Sequence, residues 1–231
     1  MNPFASLVQP IAREEEMDAA ELSPERYAKV LADLSRINAL TLAPRPTLGF
    51  LERVRARGIG ARPWRILDVG FGAGDMLARI ARWGERRGIG LDLAGVDLNP
   101  KSEAVARARL ISGDYRDLAG QGWDMIMSSL VSHHMTPVQR AEFLCFMESE
   151  AACGWLVNDL HRHRLPFAGY PLLATLARVD PIVRRDGQLS VGRGFRRAEW
   201  AAMLAGALPD VAGECRIFRS FPWRLCVERI R

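Results

Sequence analysis

Apolar positions along the chain follow two different periods, and the change from one to the other divides the sequence. Between Ser23 and Ile37, the residues Tyr27, Val30, Leu31, Leu34 and Ile37 recur at three- and four-residue steps, the spacing of one helical face. Ser23 followed by Pro24 marks the start of that helix, because a hydroxyl can cap the first turn and proline lacks only an N–H that has no partner there. Thr47 reads as the cap of a second helix carrying Leu48, Leu51 and Val54 as far as Gly58. Residues 1 to about 20 carry no period and read as a loose arm. Residues 1–60 are therefore expected to form an arm and helical extension ahead of a catalytic domain at 61–231. Such an extension can cover a substrate mouth or pack on a partner subunit in a homodimer.

From Arg65 onward short apolar runs alternate with amphipathic ones. Strands are predicted at 65–69, 92–97, 109–113, 123–128 and 154–159. Helices are predicted at Asp75–Arg87, at Pro100–Arg109 behind Asn99, and at Thr136–Glu150, where Thr136-Pro137 repeats the cap-then-proline signal. This alternation predicts an α/β fold with a parallel sheet and helices on both faces. A helix over Arg197–Leu208 precedes two β-forming runs, Glu214–Ser220 and Arg224–Ile230, around Phe221-Pro222-Trp223, which predicts a closing antiparallel hairpin. The polar, glycine-bearing stretch Asp180–Phe195 reads as a long connection of the kind that forms a lid.

Composition narrows the class without naming it. The chain is 48% hydrophobic and 26% charged, ordinary for a globular domain. No apolar run approaches the roughly 18 residues needed to span a bilayer. The first apolar patch has no basic flank and Glu14-Glu15-Glu16 follows it, so a signal peptide is not expected and the cytoplasm is. Cys145, Cys153, Cys215 and Cys226 have no metal-ligand spacing and read as reduced, packed thiols. The net charge of +5 is carried by arginine, since Lys29 and Lys101 are the only lysines. That charge permits an anionic substrate, a nucleic acid or a membrane surface.

The candidate chemistry begins at Ile66–Asp75. Gly70, Gly72 and Gly74 occupy every second position after an apolar strand, so the backbone can turn sharply, approach a ligand and open a helix whose first amides face it. Asp97 ends the next strand 23 residues after Gly74, near the offset at which an acidic strand end holds ribose hydroxyls in dinucleotide folds. A nicotinamide fingerprint would need glycine at position 75, which is Asp75, so an NAD-dependent oxidoreductase is the disfavoured alternative.

The acid-x-Gly-x-Gly-x-Gly pattern at Asp68–Gly74 resembles the first motif of the class I S-adenosylmethionine-dependent methyltransferases, and with the terminal hairpin the likeness extends over roughly Ala61–Arg231. It implies a Rossmann-like, seven-stranded, mostly parallel sheet and S-adenosyl-L-methionine as cofactor. Asp68 would then orient the methionine part, Asp97 the ribose, Asp114 and Tyr115 the adenine, with Phe71 and Leu98 as padding. Ser129–His134 would line the transferring methyl group. His133-His134-Met135 is similar to the His-His-Leu of many small-molecule members. All four histidines follow the fourth or fifth strand, so His133, His134 or His161 could take a proton from the acceptor, with Asp159 orienting one of them. His163 and the run Arg184, Arg185, Asp186 and Ser190 resemble methyltransferases of bacterial polyketide and phenolic-lipid pathways and would face the acceptor, the arginines meeting a carboxylate or phosphate. The expectation is O-methylation of a small aromatic or polyketide-like acceptor, with C-methylation of a quinol ring as the alternative. The histidine spacings HH and HxH are weak metal signals, and no metal is expected. Neither an Asn-Pro-Pro-aromatic motif nor a Pro-Cys pair is present, which argues against a nucleic-acid methylase and against a nucleic-acid partner.

Overall fold

The computed structural model describes residues 7–13, 15–16, 22–60, 62–100, 105 and 107–231. Two helices come first, α1 (Pro24–Leu40) and α2 (Pro44–Ala56). The alternating region then runs β1 (Trp64–Val69), α3 (Asp75–Arg87), β2 (Leu91–Asp97), β3 (Ala108–Ser112), β4 (Trp123–Ser129), α4 (Pro137–Glu150) and β5 (Ala151–Leu160). It continues through α5 (Arg164–Leu176), α6 (Pro181–Arg193), α7 (Arg197–Ala207), β6 (Arg216–Ser220) and β7 (Arg224–Ile230). The seven strands form one sheet in the order β3-β2-β1-β4-β5-β7-β6. Strands β1 to β5 are parallel, and β7 is antiparallel to both β5 and β6, which is the predicted closing hairpin. The order reverses between β2-β1 and β4, so the carboxyl ends of β1 and β4 flank a crevice where ligands of open α/β sheets bind.

The period-two pattern sorts the core. Leu67, Val69, Ile126, Trp155 and Val157 face one way and pack with Phe143 and Met147 of α4 and Trp200 and Leu204 of α7. Ile66, Leu93, Met125, Met127 and Leu156 face the other way, against Phe50, Leu51 and Val54 of α2 and Leu77, Ile80 and Trp83 of α3. A third cluster joins Val30 and Ile37 of α1 to Tyr170 and Ala174 of α5 and Ile182 and Val183 of α6.

Several expectations need correction. Asp180–Phe195 is not a loop, because Asp180 caps α6 by accepting from the Ile182 N–H at 2.9 Å and Pro181 occupies its first turn. Gly187 sits inside that helix because a Cβ there would overlap the Tyr170 ring, so it serves close packing. The second helix begins at Pro44, and Thr47 lies inside it, 1% exposed, accepting from Asn158 Nδ2 at 3.3 Å. Of the helix expected at Pro100–Arg109, residues 101–104 and 106 lie outside the described residues, and Ala108 already belongs to β3. Nor are the described arm residues loose. Leu7 is 1% exposed and its carbonyl accepts from the buried Arg162 Nε at 3.2 Å, while the Ile11 N–H donates to the Gly192 carbonyl at 3.2 Å.

Candidate active site

The turn after β1 is built on positive-φ glycines. Gly70 (φ 76°) donates its N–H to the Val96 carbonyl at 2.7 Å, Gly72 has φ 54°, and Gly74 (φ 79°) is the residue from which α3 starts. A Cβ on Gly70 would overlap the Val131 side chain, so the loop after β4 lies directly on this turn. At the end of β2 the Asp97 carboxylate accepts from the Gly72 N–H through Oδ2 and from the Asn99 N–H through Oδ1, both at 2.8 Å. Asp68 is 2% exposed, and burial followed by the nearby Asp97 charge pushes its carboxyl up to about 7.

A cavity of about 620 Å³ opens here, lined on this side by Asp68, Gly70, Phe71, Gly72, Asp97 and Leu98. Asp114 and Tyr115 also line it. Asp114 accepts from the Arg116 N–H at 2.9 Å, and the Arg116 guanidinium holds its carboxyl below its ordinary value. The Tyr115 ring is packed edge-on against Phe143 and Phe146, each at 4.9 Å between centroids. Asp68, the glycine turn, Asp97 and the Tyr115 face together offer acidic groups and a flat surface suited to a cationic, ribose-bearing adenine nucleoside.

The same cavity continues past Ser129, His133 and His134. Ser129 ends β4, its Oγ accepting from the buried Asn158 Nδ2 at 3.2 Å. Leu130 adopts φ 64°, an uncommon conformation for a branched side chain and a local strain at the mouth of the site. The following turn carries both histidines. His133 Nδ1 lies 2.7 Å from Asp159 Oδ1, and the His133 N–H donates to Asp159 Oδ2 at 3.1 Å. Asp159 is fully buried. Burial would raise its carboxyl, but the charge and hydrogen bond of His133 and the Leu160 N–H outweigh it and hold the group below its ordinary value. The carboxylate places the imidazole proton on Nδ1 and leaves Nε2 as a proton acceptor. His134 keeps 37% of its side chain exposed, yet burial and then the neighbouring His133 push its imidazole down to about 3, so it is neutral at pH 7.

One residue here had no sequence signal. Glu15, the middle member of the Glu14-Glu15-Glu16 run, is 6% exposed and lines the cavity from the arm. Its Oε1 accepts from Ser190 Oγ at 2.6 Å and lies 3.8 Å from His133 Nε2, 3.7 Å from His134 Nε2 and 3.8 Å from Arg193 Nη1. Burial raises its carboxyl above the ordinary value. Ligand atoms of Glu15, His133 and His134 come within 4.8 Å of one another and could hold a divalent cation, although the Arg193 guanidinium already faces the same carboxylate oxygen.

Asp186 and Ser190, on α6, also line the cavity. The remaining expected residues lie outside its lining. Gly74 starts α3 behind the turn. His161 donates its N–H to the Trp223 carbonyl at 3.0 Å, its ring stacked on that of His163 at 5.4 Å, and His163 caps α5 by accepting from the Leu165 N–H at 3.2 Å. Arg184 reaches Thr175 Oγ1 at 3.3 Å and Arg185 pairs with Glu16 at 2.6 Å, both at exposed positions.

A family model described as a methyltransferase domain matches residues 66–149, from within β1 to the last residue but one of α4. No curated protein sequence matches the chain at a significant level. Among solved structures, the plantazolicin methyltransferase BpumL, in complex with a triazolic desmethylPZN analogue and S-adenosylhomocysteine, is similar with a TM-score of 0.68 at 14% identity, covering 94% of this chain and 93% of that one. The magnesium protoporphyrin IX methyltransferase ChlM of Synechocystis PCC 6803, also with bound S-adenosylhomocysteine, has a TM-score of 0.51 at 14% identity and coverages of 94% and 91%. A structure described as a putative O-methyltransferase from Nostoc punctiforme PCC 73102 has a TM-score of 0.55 at 16% identity, covering 100% of this chain and 68% of that one.

Proposed function

We infer that this chain, whose residues 66–149 match a family model described as a methyltransferase domain, is an S-adenosylmethionine-dependent methyltransferase that methylates a hydroxyl oxygen of a small aromatic or polyketide-like acceptor. The observation that carries the reading is continuity. One cavity runs from Asp68 and Asp97 to His133, the partner of Asp159, so a nucleoside cofactor and a proton acceptor share one continuous space. Asp68 would face the cofactor's ammonium group, Asp97 its ribose, and Asp114 and Tyr115 its adenine. The cofactor supplies a methyl group on a cationic sulfur.

What the chain must add is proximity, dryness and removal of a proton. A phenol with a pKa near 10 is a poor nucleophile until its proton leaves, and a positioned imidazole can accept that proton, contributing on the order of 10² to 10⁴ in rate. His133 suits the task because Asp159 fixes its tautomer and would stabilise the imidazolium. His134, beside it at 4.2 Å between ring centroids, is neutral and can accept a hydrogen bond from the acceptor. The likeness to BpumL and ChlM supports an acceptor of small-molecule or peptide size.

The test is transfer of a labelled methyl group to a panel of phenols and hydroxylated polyketides, with His133, His134 and His161 each replaced by Ala. Transfer to oxygen should fall by roughly 10² or more in His133→Ala while cofactor binding persists, and His161→Ala should be near wild type. Full activity in His133→Ala would remove the imidazole from the reaction, and methylation at ring carbon would move the product to the quinol alternative.

A further inference from the structure

We propose that Glu15, carried in by the N-terminal arm, is a catalytic residue of the acceptor site: with His133 it brackets the acceptor hydroxyl, so the site is complete only when the arm is docked. The proposal rests on the reading of this cavity as a hydroxyl-methylating site.

The Glu15 carboxylate points into the cavity. Glu16 turns outward and pairs with Arg185, whereas Glu15, its neighbour, turns inward and is 6% exposed. Burial of a carboxylate is costly unless partners or chemistry compensate it. Ser190 donates one hydrogen bond to Oε1, and Arg193 stands at 3.8 Å. On the cavity side the same oxygen faces the Nε2 atoms of His133 and His134 at 3.8 and 3.7 Å. Those gaps are too long for hydrogen bonds, yet they suit one shared oxygen. An oxygen about 2.8 Å from both Glu15 Oε1 and His133 Nε2 would make an angle of about 85° between them.

The arm is held by specific contacts rather than by sheet pairing. Its described residues make no strand ladder with the sheet. They are fixed at separate points: the Leu7 carbonyl to Arg162 and Arg196, the Ile11 N–H to the Gly192 carbonyl of α6, and the Glu16 N–H to Oδ1 of the cavity-lining Asp186 at 2.9 Å. A Cβ on Gly192 would overlap the Ile11 side chain, so α6 is shaped to receive the arm. The arm and α6 meet over the part of the cavity that holds the two histidines.

In the bound acceptor the single O–H proton is shared between Glu15 Oε1 and His133 Nε2 as a three-centre hydrogen bond, and in the reaction it passes to His133 Nε2. The oxygen lone pair forms the new O–CH₃ bond as the S–CH₃ bond breaks, its electron pair staying on sulfur. The positive charge that began on sulfur ends on the His133 imidazolium, between the carboxylates of Asp159 and Glu15, and that proton leaves to water with the product. Glu15 thus stands where charge arrives, the position at which a preorganised group lowers a barrier.

The experiment uses the full chain loaded with S-adenosylhomocysteine and titrated with phenol and with anisole, which has the same ring but no hydroxyl donor. Wild type should bind phenol more tightly than anisole. Glu15→Gln and Glu15→Ala should weaken phenol by roughly tenfold, the scale of a hydrogen bond to a charged group, and leave anisole unchanged. Amide exchange at Ile11 and Glu16 reports whether the arm stays docked in each variant. Phenol affinity unchanged in both variants, or a wild type that binds no phenol or does not prefer it to anisole, would overturn the role of Glu15. Failure of the methyltransferase reading would appear earlier and separately, as no uptake of S-adenosylhomocysteine.

Discussion

Asp68 offers a test of the cofactor half that needs no acceptor. Its carboxyl is 2% exposed and stands at about 7, mainly through burial and secondly through the charge of Asp97. In the unfolded chain an aspartate titrates near 3.9. Between about pH 4 and pH 7 the unfolded chain releases this proton and the native protein keeps it, so native stability falls as pH rises through that window and levels off above it. At about 1.4 kcal/mol per pH unit the cost reaches roughly 4 kcal/mol by pH 7. Asp68→Asn removes the titration and nearly preserves the shape. The variant should therefore gain on wild type as pH rises, with a stability gap about 3 to 4 kcal/mol larger at pH 7.5 than at pH 4. Urea unfolding of the ligand-free proteins at the two pH values measures it. S-Adenosylhomocysteine should narrow the gap at pH 7.5, because an ammonium group beside Asp68 favours the carboxylate, and the variant should bind it roughly 10- to 100-fold more weakly. An equal gap at both pH values would refute the assignment of a protonated, buried Asp68.

Asp159→Asn should act in the opposite sense. Asp159 accepts from the His133 N–H, His133 Nδ1 and the Leu160 N–H, so an amide NH₂ must face at least one donor, and a loss of roughly 2 to 5 kcal/mol is expected in urea unfolding at pH 7. Because the native carboxyl is held below its ordinary value, its contribution is present above about pH 3.9 and disappears only as pH falls below that. Gly187→Ala sets two effects against each other: alanine favours helix by about 1 kcal/mol, but its Cβ would overlap Tyr170 in a packed layer, typically costing about 1 to 3 kcal/mol. Net destabilisation in thermal melts is expected, and a stabilised variant would show that α6 has room to shift.

Elements whose fate is decided locally are legible in the amino-acid sequence. The helix Asp75–Arg87 begins after Gly74 and stops at Gly88, both in the left-handed conformation, and its bounds agree with expectation. The β6–β7 pairing likewise follows from β-forming runs on both sides of a Pro222 turn. Two helices are not legible. In α6, Gly187 and Gly192 look like loop residues, although their missing side chains admit Tyr170 and Ile11, contacts that no local pattern announces. In α5, Pro171 sits inside the helix and obscures its period. The site divides in the same way. The glycine turn and Asp97 are joined by a short-range geometry that motif spacing encodes, and the family resemblance adds the cofactor's identity. Glu15 depends on Ser190, 175 residues away, and a carboxylate within a glutamate run gives no hint of burial. The two arginines expected to face the acceptor are instead occupied at the surface, Arg184 with Thr175 Oγ1 and Arg185 with Glu16.

The cavity between Asp68 and Asp97 is predicted to hold an adenosyl sulfur cofactor. Calorimetric titration of the full chain with S-adenosylhomocysteine tests this most directly. One site of micromolar affinity is predicted in wild type, lost in Gly72→Val, whose branched side chain is unsuited to φ 54° and would fill the ligand side of the turn. A wild type that takes up no S-adenosylhomocysteine, or a Gly72→Val protein that binds it equally well, would contradict the central claim.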